Sequence, residues 1–130
     1  MENRLNEMTT DNTNCAPKVE RQIDELLDRL GMEKLNTKRQ ILKNALVFCY
    51  LNEGQLGNLT RQLYPYISKE MEISEKTVQN VIRWGVEDVF TGSFVYEIMP
   101  EDIISEKTGK VNVKKFLEIL YAYLIRQLND

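Results

Sequence analysis

The sequence predicts an all-α fold, a compact domain of five or six helices containing a helix-turn-helix, and three observations carry that expectation. Apolar residues recur at helical spacing along most of the chain beyond its first segment. With 130 residues, 42% of them hydrophobic and 28% charged, the chain has the size of one domain and enough apolar side chain for one core. Between Leu56 and Phe90, in LGNLTRQLYPYISKEMEISEKTVQNVIRWGVEDVF, two helical patterns are separated by a very short polar break. A helix-turn-helix uses that arrangement to set its second helix into a DNA groove.

The opening segment, MENRLNEMTTDNTNCAP, is rich in Asn and Thr and lacks the apolar core of a signal peptide. It is expected to be a disordered tail over residues 1–16, leaving 17–130 as the helical domain. Val19, Ile23, Leu26, Leu27 and Leu30 predict a helix from Lys18 to Leu30, stopped by Gly31 beyond its C-terminus. A second helix starts after an Asn36 or Thr37 cap and runs through Ile41, Leu42, Ala45, Leu46, Phe48, Cys49 and Leu51 to Gly54. It is apolar on most sides near its end, which predicts a central position.

Leu59, Leu63, Tyr66, Ile67 and Met71 form the buried stripe of a helix from Leu59 to Met71. Pro65 removes one amide donor within it, which predicts a distorted first turn or a restart at Pro65. Glu70 to Ser74 supply the turn, with Ile73 as an apolar plug, and Ser74 is a good N-cap for the next helix, at about 74–90. Gly92 ends that pattern. Ser93 to Pro100 reads as an apolar connector, Ser105 to Lys110 as a turn-prone loop, and Val111 to Leu128 as a last helix closing the core with Val113, Phe116, Leu117, Leu120, Tyr121, Leu124, Ile125 and Leu128.

The helix at 74–90 separates into two faces. At about 100° per residue, Val78, Val81, Ile82, Gly85 and Val89 fall on one side and Lys76, Asn80, Arg83 and Glu87 opposite, with Thr77, Gln79 and Trp84 on the shoulders of the outward face. These are base-reading chemistries: Arg forks onto guanine, Asn or Gln onto adenine, and Glu accepts from the cytosine amino group. A merely solvated amphipathic helix is the alternative.

The stretch LGNLTRQLYPYISKEMEISEKTVQNVIRWGVEDVF resembles the C-terminal DNA-binding effector domain of the stage-zero sporulation response regulator (sporulation initiation factor A) of endospore-forming Firmicutes. The similarity is most specific at Leu56-Gly57, Thr60, Leu63-Tyr64-Pro65 with Ile67, Val78, Ile82-Arg83 and Glu87, and extends more weakly from about Val19 to the last helix. It implies an all-helical domain that binds short DNA boxes upstream of sporulation genes, with base and phosphate contacts at Lys76, Thr77, Gln79, Asn80, Arg83 and Trp84. The loop at Ser105–Lys110 corresponds to a basic loop near the DNA backbone; a solvated turn is the other reading. Two departures stand out. Thr77, Asn80 and Trp84 replace the basic or imidazole groups usual there, which leaves altered preference, weaker affinity and loss of binding as alternatives. The stretch ahead of the first helix is also too short for a receiver, an α/β domain of about a hundred residues or more, so switching by phosphorylation of a receiver in the same chain is not expected.

Overall charge weighs against nucleic acid, since DNA-binding modules are usually basic and the net charge here is −3. Its distribution weighs the other way. From Lys34 to Arg83 the chain holds Lys34, Lys38, Arg39, Lys43, Arg61, Lys69, Lys76 and Arg83 against Glu53, Glu70, Glu72 and Glu75, and these bases are expected to form one contiguous face, with Arg61 and Lys69 as backbone anchors beside the reading helix. Modest, strongly salt-sensitive binding to double-stranded DNA follows.

No catalytic role is expected. The chain has no His, the commonest general base and metal ligand, and no Gly-rich phosphate loop or serine elbow. Glu87 and Asp88 project about 100° apart and cannot pair. Neither Cys15 nor Cys49 has a partner at ligand spacing, so no metal or cofactor is expected. With no apolar run long enough for a bilayer and no leader, the expected location is the cytoplasm. Two functions remain: a stand-alone DNA-binding transcription regulator that is a monomer or weak homodimer and pairs on adjacent half-sites, or a protein-interaction module of the same fold that acts on an RNA polymerase subunit or a related regulator.

Overall fold

A computed structural model describes residues 16–129, so the tail expected over residues 1–16 lies, but for Ala16, outside the described residues, as does Cys15. The described chain is all-helical: α1 (Pro17–Arg29), α2 (Thr37–Leu51), α3 (Tyr64–Met71), α4 (Glu75–Asp88), α5 (Val95–Ile98) and α6 (Val113–Asn129). A π turn at Leu59–Leu63 leads into α3, and short 3-10 turns occupy Val89–Thr91 and Glu101–Ile103. Among the described residues there is no strand; one isolated antiparallel bridge joins Ile104 to Val111 across the Ser105–Lys110 loop.

Local chemistry accounts for most helix ends. α1 starts with Pro17 in its first turn, where a missing N–H removes no bond. It closes with the Gly31 amide donating to Asp28 O at 3.0 Å and Met32 N to Leu27 O at 3.1 Å, a double turn that needs the left-handed φ of +83° at Gly31. Asn36 caps α2 by accepting from Lys38 N at 2.7 Å. α2 ends at Leu51 rather than at Gly54, because Asn52 leaves helical geometry and its side chain donates back to Phe48 O at 2.8 Å. α6 starts at Val113 rather than Val111: Val111 is held in the bridge to Ile104, and Asn112 Oδ1 accepts from Lys115 N at 3.1 Å.

Helix α2 is the central element, packed against α1, α3, α4 and α6. Its Ile41, Leu42, Ala45, Leu46 and Cys49 are fully buried. Burial pushes the Cys49 thiol up to about 12, with the charge of Glu118 adding to the effect. A thiol reagent at neutral pH should therefore modify Cys49 only as fast as the domain opens, and the rate in a Cys15→Ser background should rise with urea in step with unfolding. Rapid labelling in buffer would show that α2 is not at the centre.

The segment expected to be a connector, Ser93–Pro100, instead forms α5. Val95 and Met99, one helical turn apart, are both buried, and Phe94 sets its ring against Tyr123 of α6 at 5.9 Å and under the Arg29 guanidinium at 4.1 Å. Docking onto α6 pulls into a helical turn a stretch too short to be stable alone. No helix among the described residues is long and apolar enough to cross a membrane.

Candidate nucleic-acid interface

The two-helix unit ahead of the candidate face is built by Pro65. Lacking an N–H, Pro65 cannot complete the ordinary helical ladder, and the chain ahead of it widens, with Tyr64 N donating to Leu59 O across a π turn capped by Asn58. The expected distorted turn is thus present, and α3 continues directly from it. After Met71, Glu72 adopts left-handed geometry (φ 56°) and ends α3. Ile73, half-buried, plugs into the core, its amide donating to Ser68 O at 3.1 Å while Ser68 Oγ donates to Ile73 O. Ser74 then caps α4, its Oγ accepting from Thr77 N at 3.1 Å.

The inner side of α4 is Val78, Ile82, Gly85 and Val86. Val86 adds to the apolar set expected from the helical period, whereas Val81 is only half-buried. Gly85 is where α4 crosses α2: a Cβ there would stand 3.1 Å from Lys38 Cβ, so glycine permits the close approach. Next to this crossing Lys38 Nζ pairs with Asp88. The pose of α4 is therefore set from behind by α2 and from one flank by α3.

On the other side, Lys76, Thr77, Gln79 and Asn80 are exposed and Trp84 is 53% exposed. Arg61 and Lys69, on the π turn and α3, are exposed as well. One expectation for α4 needs correction. Arg83, expected on the outward side, is half-buried, whereas Trp84 is exposed as expected. α3 packs against α4 and brings Tyr64 within reach of the Arg83 charge, an arrangement that a helical period alone does not register. Burial raises the Tyr64 hydroxyl above its ordinary value, and the Arg83 charge opposes that shift. Thr77 is also partly engaged, its hydroxyl accepting from Ser74 Oγ at 2.8 Å.

The larger correction concerns charge. The eight bases between Lys34 and Arg83 do not make one face. Arg39 is only 3% exposed: its guanidinium donates to Asp28 Oδ1 at 2.6 Å, Met32 O at 2.7 Å, Asp24 O at 3.1 Å and Asp24 Oδ1 at 3.3 Å. Lys43 pairs with Glu20 at 3.2 Å and Asp24 at 3.3 Å, and Lys38 with Asp88. These three bases are neutralised by acids from outside the segment. By contrast, no carboxylate among the described residues lies within 4.0 Å of Arg61, Lys69, Lys76 or Arg83. Glu70, Glu72 and Glu75 are exposed around the turn and offset them. Sequence reasoning missed Arg39 as an internal residue; the signal was Asp24 and Asp28, four apart on α1 and so on one face.

Among the described residues no group of Cys, Asp and Glu side chains could hold a metal ion. No protein-family model, curated protein or solved structure matches the chain.

Proposed function

We propose that this chain is a DNA-binding transcription regulator that reads a short duplex site with the outward face of α4, in the manner that its resemblance to the sporulation effector domain implies. The observation that supports this best is the state of α4 itself. One side is locked against α2 and α3, while Lys76, Thr77, Gln79, Asn80 and Trp84 stand exposed and offer ammonium, hydroxyl, amide and indole groups, with the Glu87 carboxylate among them. Amide and guanidinium groups discriminate base edges in the major groove, and a helix is the element that fits there. Arg61 and Lys69 serve the phosphates, which carry no sequence information but fix register. Affinity is modest and steeply salt-dependent, because few unpaired cations remain to displace counterions. Two copies pair on adjacent half-sites, no cofactor takes part, and the setting is cytoplasmic.

The paired state of Lys38, Arg39 and Lys43 favours a second reading, in which the same face, with Trp84 at its middle, docks an RNA polymerase subunit or another regulator. Selection of bound sequences from a random duplex library at low salt separates the two. Under the DNA reading, Asn80→Ala should cost about 1–3 kcal/mol and relax preference at one base. Lys69→Ala should weaken all sequences alike and lower the salt slope by about one. A parent protein with no preference over random DNA at any salt would leave the interaction reading.

A further inference from the structure

Trp84 is the single tryptophan of the chain and is 53% exposed. Among the described residues its indole has no hydrogen-bond, ring-stacking or cation partner. The other exposed aromatic ring, Tyr96, is tied down: it donates from its hydroxyl to Phe90 O at 3.0 Å and packs edge-on against the Phe90 ring at 5.5 Å. Trp84 is the one large apolar ring on the outward face of α4, which is otherwise made of polar groups.

Its position narrows what it meets. Asn80 and Trp84 are four residues apart, hence about 40° apart around the helix and about 6 Å apart along it. Both are exposed, whereas Arg83 is half-buried, and at about 100° per residue Asn80, Glu87 and Trp84 lie nearest the point opposite the buried side of α4. With α4 in a major groove, the middle of the face meets the groove floor, where base edges lie, and the shoulders meet the sugar-phosphate walls. Only one base edge offers an apolar group on that floor, the 5-methyl of thymine.

Resting on the DNA-binding reading, we infer that Trp84 is a specificity-determining residue that covers a thymine methyl, one or two base pairs from the base read by Asn80. Thymine is then preferred at that position, because no other base carries a methyl group there for the ring to cover.

The test uses the duplex recovered by selection from a random library, with each thymine replaced in turn by deoxyuridine, which removes one methyl and leaves every hydrogen-bonding group in place. The full chain should lose about fourfold in affinity at one thymine, equivalent to ~0.8 kcal/mol for one buried carbon, and Trp84→Ala should show no loss there. Because no other tryptophan contributes, the indole emission gives a second readout: it should shift to the blue on binding, and shift less with the deoxyuridine duplex at that same position. If the parent selects a sequence but no deoxyuridine substitution weakens it, the methyl contact is wrong and the DNA-binding reading stands. Emission unchanged on binding would overturn the contact equally. If the parent selects no sequence, the DNA-binding reading itself fails, and this inference with it.

Discussion

Arg39→Ala is expected to lower the unfolding free energy by about 3 kcal/mol, one of the two largest effects foreseen for this domain. Removing one partner of a buried charge cluster costs about 3–5 kcal/mol when the other charge is left stranded. Here the acids are not stranded, since Asp24 and Asp28 keep 43% and 50% of their side-chain surface in water. They rehydrate once the guanidinium is gone, which puts the effect at the lower end. What is lost outright is the donor to Met32 O and Asp24 O, together with packing at a position 3% exposed. The loop between α1 and α2 loses its anchor with it. Urea unfolding should show a lower midpoint with an unchanged slope; a loss below 1 kcal/mol would mean that water replaces the guanidinium without difficulty.

The same cluster sets a pH dependence. The Arg39 hydrogen bond holds the Asp28 carboxyl below its ordinary value, with the Arg39 and Lys34 charges helping and desolvation opposing. A carboxylate whose folded pKa is depressed contributes stability that is complete above its unfolded pKa, about 3.9, and is lost as pH falls through the lower folded value. Stability from this pair should thus be flat from neutral pH down to about 5 and decline below about 4. Asp28→Asn should shallow that acid limb and leave its neutral plateau level, and an unchanged acid limb would refute the assignment.

Phe116→Ala is the second large effect, at about 3–5 kcal/mol out of the roughly 5–15 that hold a small domain together. Phe116 is fully buried, and its ring lies 5.9 Å from that of Phe90, which in turn meets Tyr96 at 5.5 Å. The cavity left by the substitution would lie under the 3-10 turn that follows α4, between α6 and α5. Those segments connect by aromatic contacts rather than by backbone ladders, so collapse around the cavity is only partial. The melting temperature should fall by about 10–20 °C. A drop of less than about 4 °C would place the centre of the core elsewhere.

Most of the scaffold was legible because its signals are local. Gly31, Asn36, Ser74 and the stripes of α1, α2 and α6 act within one or two helical turns, and each produced the expected end or face. α5 was not legible: four residues cannot hold a helix by propensity, and only the surface of α6, brought near by the rest of the chain, makes Val95 and Met99 worth burying on one side. On the candidate face the exposed state of Lys76, Gln79 and Asn80 followed from the period of α4 alone.

The sequence by itself determined the all-helical class, the order of the helices and the division of α4 into an apolar and a polar side, because spacing within one helix already separates those sides. Only the tertiary structure decided which charges belong to the surface. Lys76 and Arg39 look alike in one dimension, yet Arg39 is enclosed by Asp24 and Asp28 of α1 while Lys76 faces water. Likewise Arg83 is half-buried while Trp84, its neighbour in the sequence, is open. A helical period reports direction relative to a helix's own axis. Burial and ion pairing depend on which other helix arrives at that side, and this is set by closing the core around α2.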